Sequence, residues 1–545
     1  MFTKKSLTLQ TKTLTLMNSN FEMVAKTLQG LEAVLADELR ALGADDVTPG
    51  NRMVSFRGDL AMLYRANMCC RTALRILKPF YSFEAKDSDE LYSKLKEFDW
   101  STLMTAQNTF SIDTVAYSSE FRNSQFVTYR VKDAIVDWFR DREGDESRPR
   151  VRLDGADVMF NVHISGTQVT VSLDSSGESL HKRGWRTGQT EAPISEVLAA
   201  GIILMSGWKG DTPFVDPMCG SGTFAIEAAM IAAGIMPGIY RRGFAFEHWP
   251  DFDRELFEEI YNDDSNEREV TVPIIAADIS PKAIAIATDN AKHAGVERYI
   301  TFETRPLSQW TEAPQPAGVL VTNPPYGKRI TSDDMNALYN TIGRVLKHVF
   351  LGYNAWIIGY EDIYFHEIGL APSCKVQVKN GGLDCEVRQY VIFEGKKADF
   401  RAAGGAIKED GAAPTRRRQG ADSRRPAAPR RESSEDRRKS FGSHRNDDER
   451  RKAFGPRKES DDDRRKSFGP RRNDDERRRT SGPRREGDDS RKPAAARTEG
   501  GRRPLDLSRM GRTPSLGADK EVPLSRPAWR VRRKDRDADG NTDNK

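Results

Sequence analysis

From about residue 190 to about residue 395 the chain repeats one unit: a short apolar run, a loop, then a stretch with helical periodicity. Phe214–Asp216 leads through a Gly-rich loop into an Ala-rich segment that begins near Thr223. Ile274–Asp278 precedes a helical stretch from Pro281 to about Ala294. Val319–Thr322 runs into Asn323-Pro324-Pro325-Tyr326 and a further helical stretch, and Ala355–Gly359 and Gln389–Phe393 supply later strands. Strands that return through helices join a parallel sheet, whose two faces the helices must then cover. The expected class is α/β, with a doubly wound sheet in this half.

The preceding part, to about residue 176, is mixed α and β. Leu28, Leu31, Val34, Leu35, Leu39 and Leu42 recur at three- and four-residue steps and stop at Gly43, which predicts a one-faced helix. Val131, Ile135, Val136 and Phe139 mark another. Val158–Ile164 and Gln168–Leu173 predict two strands around the turn Ser165-Gly166-Thr167. Residues 1–20 read as a loose extension.

From about residue 399 the composition changes. Residues 401–545 hold 43 Lys+Arg and 27 Asp+Glu, net +16, whereas residues 1–400 hold 43 and 54, net −11. The motif Arg437-Arg438-Lys439-Ser440-Phe441-Gly442 recurs around Phe454 and Phe468, with acidic clusters between. So few apolar side chains cannot offset the ordering entropy, and a disordered tail is expected. An Arg-rich arm with interleaved Phe441, Phe454 and Phe468 suits non-specific RNA binding, although its acidic residues weaken that reading.

Several classes are excluded. The longest nearly apolar run, Val197–Met205, is shorter than the roughly 18–20 residues a membrane-spanning helix needs, so no membrane partner is expected. Five cysteines (Cys69, Cys70, Cys219, Cys374, Cys385) make neither a disulfide framework nor a zinc spacing, so no metal is expected. The expected setting is the reducing cytoplasm.

Three elements carry chemistry. In Asp216-Pro217-Met218-Cys219-Gly220-Ser221-Gly222-Thr223 a strand ends, two glycines follow and a helix opens. Glycine lets backbone approach a ligand, and the helix start offers free N–H groups, though a plain structural turn has the same pattern. Asp278, at a strand end, can accept hydrogen bonds from both hydroxyls of a ribose, or cap the next helix. Gly222 and Asp278 are far apart for such a pair, and residues 235–272 read as an insertion between them. In Asn323-Pro324-Pro325-Tyr326 two prolines stiffen the loop, so that the Asn323 amide oxygen and the Pro324 carbonyl can serve as paired acceptors. Two acceptors on both N–H groups of an exocyclic amine favour a pyramidal nitrogen with its lone pair available, and Tyr326 can stack on the base.

These motifs resemble class I S-adenosylmethionine-dependent methyltransferases that act on amine nitrogens. With Arg122-Asn123-Ser124-Gln125, Val131–Asp137, Leu180–Arg186 and Ala192-Pro193-Ile194, the chain resembles the bacterial THUMP-domain-containing 23S rRNA guanine-N2 methyltransferases over residues 21–395. The resemblance implies a ferredoxin-like piece at 21–64, a THUMP RNA-binding domain at 65–176 and a Rossmann-like methyltransferase domain at 177–398. It implies that Asp216, Gly220, Gly222 and Asp278 hold S-adenosylmethionine, and that Asn323, Pro324, Pro325 and Tyr326 form the catalytic loop around a guanine N2. The implied substrate is large-subunit rRNA or its assembly intermediate; a tRNA guanine or an adenine N6 is the alternative, since the loop serves any exocyclic amine, and a non-catalytic RNA-binding assembly factor is the alternative of another class. Arg122, Lys132, Lys182, Arg183 and Arg186 are candidate RNA contacts, with Trp185 as a stacking partner and Arg329 beside the catalytic loop. The chain departs from the family at Pro306, where an Asp would hold the adenine amine; Gln309 or a backbone carbonyl is the expected substitute. The second methyltransferase domain that some members carry has no counterpart here, so no second methylation is expected of this chain.

Overall fold

The structure is a computed structural model that describes residues 20–191, 193–325, 332–360 and 362–395. The extension before residue 20, Tyr326, Arg329 and the Arg-rich tail lie outside the described residues.

Eight strands of the N-terminal part form one sheet: β1 (Phe21–Lys26), β2 (Asp45–Gly50), β3 (Met53–Gly58), β4 (Arg75–Glu84), β5 (Thr109–Tyr117), β6 (Arg150–Val151), β7 (Val158–Ser165) and β8 (Gln168–Asp174). Their order is β2-β3-β1-β4-β8-β7-β5-β6. The β4 strand is the join, since Leu77 pairs with Val24 of β1 and with Asp174 of β8. The two N-terminal pieces therefore share a sheet. Four helices accompany it: α1 (Glu32–Ala41), α2 (Leu60–Cys69), α3 (Ser88–Glu97) and α4 (Ser124–Glu143). In α1, Leu35, Ala36 and Leu39 are buried, as the spacing predicts, and Gly43 follows with φ +88°. Helix α2 starts where Asp59 accepts from the Met62 N–H at 2.8 Å, and it runs across residues 64 and 65, where the resemblance placed a division.

The second sheet contains β9 (Phe214–Asp216), β10 (Ile274–Asp278), β11 (Ile300–Thr304), β12 (Gly318–Thr322), β13 (Tyr353–Gly359), β14 (Cys374–Asn380) and β15 (Leu383–Val391). The order is β11-β10-β9-β12-β13-β15-β14. The first five strands in that order run parallel, and the β14–β15 hairpin closes the edge antiparallel. Strand β9 pairs with β10 on one side and β12 on the other, so the chain changes direction of growth there, and the crevice beyond these carboxyl ends is the place for a ligand. Helices α5 (Glu196–Met205) and α6 (Thr223–Ala232) are buried nearly all round, which explains why the longest apolar run is a core helix. Residues of α8 (Pro281–His293) join their core, while α9 (Ser332–His348) packs in a second core with Tyr353, Ile357 and Tyr390.

The stretch 235–272, expected as an insertion, has a packing role. It carries α7 (Arg254–Tyr261), and its Phe244, Phe246, Trp249, Phe257 and Tyr261 belong to the apolar core of the N-terminal part. Phe246 meets Tyr64 of α2 with ring centroids 4.5 Å apart, and the Asp253 N–H donates to the Tyr64 hydroxyl at 3.0 Å. The buried Arg241 donates to the carbonyls of Ser179 and Lys182 at 2.9 and 2.7 Å, which fixes the segment joining the two sheets. The long interval between Gly222 and Asp278 is thus occupied by a clamp on the N-terminal part.

Candidate active site

An open cavity of about 1110 Å³ lies at the carboxyl ends of β9, β10 and β12. The loop after β9 forms one wall. Gly220 and Gly222 adopt left-handed φ values of +53° and +82°, which only glycine takes without strain. The two do different work. Gly220 borders the cavity, and its N–H donates to Asp278 Oδ2 at 2.9 Å. Gly222 caps α6 and faces α8: a Cβ there would lie 2.9 Å from the Ala287 Cβ. Its part in the site is to let the two helices approach, and it does not border the cavity.

Asp278 ends β10 with its side chain half-buried at the cavity. Each carboxylate oxygen accepts one backbone N–H, from Gly220 and from Ser280, both at 2.9 Å. A carboxylate oxygen has two lone-pair sites, so both oxygens keep capacity for hydroxyl donors. The neighbouring Ile279 also borders the cavity and is 72% exposed, an apolar face beside the carboxylate. Asp216 is 1% exposed and accepts the Met218 N–H at 3.4 Å. Burial holds its carboxyl well above the usual range, and the nearby Asp278 charge adds to this. Burial likewise raises the Cys219 thiol, with Asp216 and Asp278 adding to it, so this cavity-lining sulfur stays protonated and is no nucleophile.

Opposite, β12 delivers Asn323, Pro324 and Pro325 to the cavity. The Asn323 Oδ1 is buried and has no hydrogen-bond partner among the described residues. Leaving a buried amide oxygen unpaired costs about 1–3 kcal/mol, so the site holds an acceptor in want of a donor. Tyr326, expected to stack on a base, lies outside the described residues.

The Arg186–Ile194 segment borders the same cavity, and its anchoring was not legible in the sequence. Arg186 donates to Glu196 at 2.7 Å and to the hydroxyls of Ser221 and Thr223 at 2.9 Å each. Asn290 of α8, fully buried, accepts from the N–H groups of Thr187 and Gly188 and donates to the carbonyls of Gly188 and Ser221. These bonds lock the glycine loop to the segment across from it. Pro306 borders the cavity as expected, with Leu307 and Ser308; Gln309, the proposed substitute, does not.

The candidate RNA contacts divide. Arg183 is 2% exposed, pairs with the buried Glu227 at 3.2 Å and donates to the Leu180 and Arg71 carbonyls. It cannot meet phosphate, and the reading is corrected: Arg183 binds the joining segment to α6. Arg186 is spent on Glu196 and the glycine loop, so it too is an internal anchor. Trp185 is fully buried and cannot stack on a base. Lys182 is exposed but paired with Glu178, Lys132 pairs with Asp133, and Arg122 stands exposed just before α4, donating among the described residues only to the Ser119 carbonyl. Among the described residues no group of His, Cys, Asp or Glu could hold a metal ion, and no helix is long and apolar enough to cross a membrane.

Three family models match the chain: the RlmL ferredoxin-like domain over residues 22–77, the THUMP domain over 85–174, and the RMKL-like methyltransferase domain over 183–389. The chain is similar to a Synechocystis protein named "Putative RNA methyltransferase slr0064", 37% identical over 372 residues that cover 68% of this chain and 96% of the relative. It is also similar to "Ribosomal RNA large subunit methyltransferase K/L" of Syntrophotalea carbinolica, 37% identical over 391 residues, 69% of this chain and 54% of that protein. The chain thus matches about half the length of that relative. Among solved structures, SMU.472, "a putative methyltransferase complexed with SAH", is 32% identical with a TM-score of 0.62, covering 70% of this chain and all of that one.

Proposed function

The chain belongs to the family that joins an RlmL-type ferredoxin-like domain, a THUMP domain and an RMKL-like methyltransferase domain, and from this we propose that it transfers a methyl group from S-adenosylmethionine to the exocyclic N2 amine of a guanine in large-subunit (23S) rRNA. The observation that carries the reading is the Asn323 Oδ1 at the cavity wall, next to two prolines and without a partner among the described residues. The large-subunit target is drawn from the name of the K/L relative.

The residues present fit the cofactor. Asp278 offers acceptors to a ribose diol, Ile279 offers an apolar face to a purine, and the Gly220 turn leaves room for backbone approach. Ser308 is the polar side chain nearest in sequence to Pro306 that borders the cavity, so it is the residue for the purine edge. When bound, S-adenosylmethionine supplies an electrophilic methyl on a positively charged sulfur. This chain's own work is then positioning. Asn323 Oδ1 and the Pro324 carbonyl accept the two N–H groups of the target amine and turn its lone pair toward the methyl. That alignment replaces a bimolecular encounter by a near-attack geometry. Proton loss follows transfer, because the methylated nitrogen is strongly acidic, so no general base is required. Burial raises the Asp216 carboxyl, and of Asp216 and Asp278, which both border the cavity, Asp278 is the one half-open to a ribose.

The test is transfer of label from S-adenosylmethionine to unmodified large-subunit rRNA and to tRNA in parallel, followed by nucleoside analysis. N2-methylguanosine in the rRNA alone is the expected product. N6-methyladenosine, or label confined to tRNA, overturns the substrate assignment.

A further inference from the structure

The cavity continues past the residues assigned to the cofactor and the amine. Along the carboxyl edge of the second sheet the strands follow in the order β10, β9, β12, β13, β15. Asp278 ends β10 and Asn323 directly follows β12, two strand spacings or about 10 Å apart. On the far side of Asn323 the cavity is bordered by Tyr360 and Leu383. Strands β12 and β13 pair in parallel with Thr322 opposite Ile357, so Tyr360 leaves β13 level with Pro325. Strand β15 returns antiparallel with Glu386 opposite Gly359, which brings Leu383, at its start, to the same end.

This far wall is held from inside the fold. Beyond Tyr360 the chain enters a short helix, α10 (Asp362–Phe365), whose Phe365 is buried. The Phe365 ring meets the Tyr339 ring of α9 edge-on, with centroids 5.7 Å apart, and the Arg388 guanidinium lies over it at 4.1 Å. Arg388 is itself buried and pairs with Glu386. Gly359, just before Tyr360, leaves room for this ring, since a Cβ there would come within 2.7 Å of it. The start of α10 is thus fixed, while Tyr360 and Leu383 each stay 40% exposed. A Cβ at Gly381 or Gly382, in the hairpin tip beside Leu383, would meet nothing within 4 Å, so that side of the mouth is open. Large apolar side chains left open in a concavity, next to a few polar acceptors, are the lining of a ligand site.

The direction of attack decides what this wall faces. The lone pair of an exocyclic amine stands perpendicular to its ring. A ring whose amine is held by Asn323 and Pro324 therefore turns one face to the methyl donor, on the β10 side, and the opposite face toward β13 and β15. We propose that Tyr360 and Leu383 back the acceptor base: the Tyr360 ring stacks on the face away from the methyl donor, and Leu383 packs beside it. The proposal rests on the methyl-transfer reading above and deepens it by naming the substrate-positioning wall of the same site. A ring stack and a leucine read no base edge, so this wall fixes the angle of the base to the donor and leaves the choice of amine to the Asn323 loop. An angle set in this way acts on the rate as well as on RNA affinity.

The test uses the full chain and large-subunit rRNA transcribed with a small fraction of 6-thioguanosine, which keeps the N2 amine and crosslinks on irradiation. With S-adenosylhomocysteine added, a crosslink is expected at Tyr360 or Leu383, within the β13–β15 stretch Tyr353–Val391. In transfer assays on unmodified rRNA, Tyr360→Ala lowers kcat/KM for the RNA roughly 10-fold or more, the scale of one lost base–aromatic stack. Tyr360→Phe keeps the ring and restores the wild-type rate, and cofactor affinity measured by calorimetry is unchanged in both variants. Ile363, exposed on α10 and outside the cavity, is the control: Ile363→Ala transfers label normally, so a loss confined to Tyr360 is not a loss of the helix. Normal transfer by Tyr360→Ala overturns the proposal. So does an equal loss of cofactor affinity, which would put Tyr360 at the cofactor end. If the wild type labels neither rRNA nor tRNA, the proposed function fails by itself and the crosslink decides the wall: a crosslink at Tyr360 or Leu383 keeps it as a base-binding surface, and none within Tyr353–Val391 overturns it.

Discussion

Arginine behaves in opposite ways in two regions of this molecule. Around the segment joining the sheets, Arg183, Arg186 and Arg241 are engaged with carbonyls, carboxylates and hydroxyls of the fold. Along the β6 edge, Arg148, Arg150 and Arg152 are exposed and make no ion pair among the described residues. A basic run in sequence is the same letter pattern in both places. What separates them is long-range pairing: Glu227 of α6 meets Arg183 of the joining segment, whereas β6 is the outermost strand of its sheet. The first region holds the site in shape, and the second leaves its charge on the surface.

The sharpest way to probe this division is to compare residues that act on the chemistry with residues that only shape it. Asn323→Ala should lower the transfer rate by about 10²–10³-fold, the scale of losing a positioned polar contact, while cofactor affinity measured by calorimetry stays within about two-fold. Equal loss of both would remove Asn323 from its assigned place. Asp278→Ala should weaken cofactor binding about 10- to 100-fold with RNA affinity intact, since two hydrogen bonds to an ionised group are lost. A selective loss of RNA binding would undo the placement of the ribose.

Arg183→Ala should cost about 3 kcal/mol in unfolding free energy, because it removes the ion-pair partner of the buried Glu227 and leaves only the neighbouring Arg71 charge. Denaturant titration would show this, and the salt dependence of RNA binding should not move. A changed salt slope with unaltered stability would return Arg183 to the surface. The smallest effect is expected at Asp216. Its folded carboxyl titrates above the unfolded value, so the native state keeps a proton that the unfolded chain releases, and stability from this group falls as pH rises above the ordinary aspartate range. Asp216→Asn removes that loss and should raise the melting temperature by a few degrees at pH 8 and by less at pH 5. A drop at pH 8 would mean that Asp216 is ionised and paired.

Much of this architecture is legible in the residues because local order decides it. The strand–loop–helix repeat, the two glycines and the Asn-Pro-Pro loop place three walls of one cavity without reference to anything distant. The roles of individual residues are less legible. Gly222 reads as a ligand glycine, yet the 2.9 Å approach is made by Ala287, which lies 65 residues further along the chain. Trp185 among cations reads as a stacking surface and is core. Phe126 and Tyr129 fall off the apolar face formed by Val131, Ile135 and Phe139, and this mismatch was the available sign that α4 carries a second, outward-facing stripe. Ile279, an apolar residue directly after an acidic strand end, gave a similar sign at the cavity.

The central claim is that the Asn323 loop presents an exocyclic guanine amine to the methyl group. The most direct measurement is label transfer to unmodified large-subunit rRNA beside the same transcript made with inosine in place of guanosine, which lacks the N2 amine. The account predicts label in the first RNA and none in the second, with N2-methylguanosine as the product. Equal labelling of the two would place the methyl on another atom and contradict the assignment of Asn323.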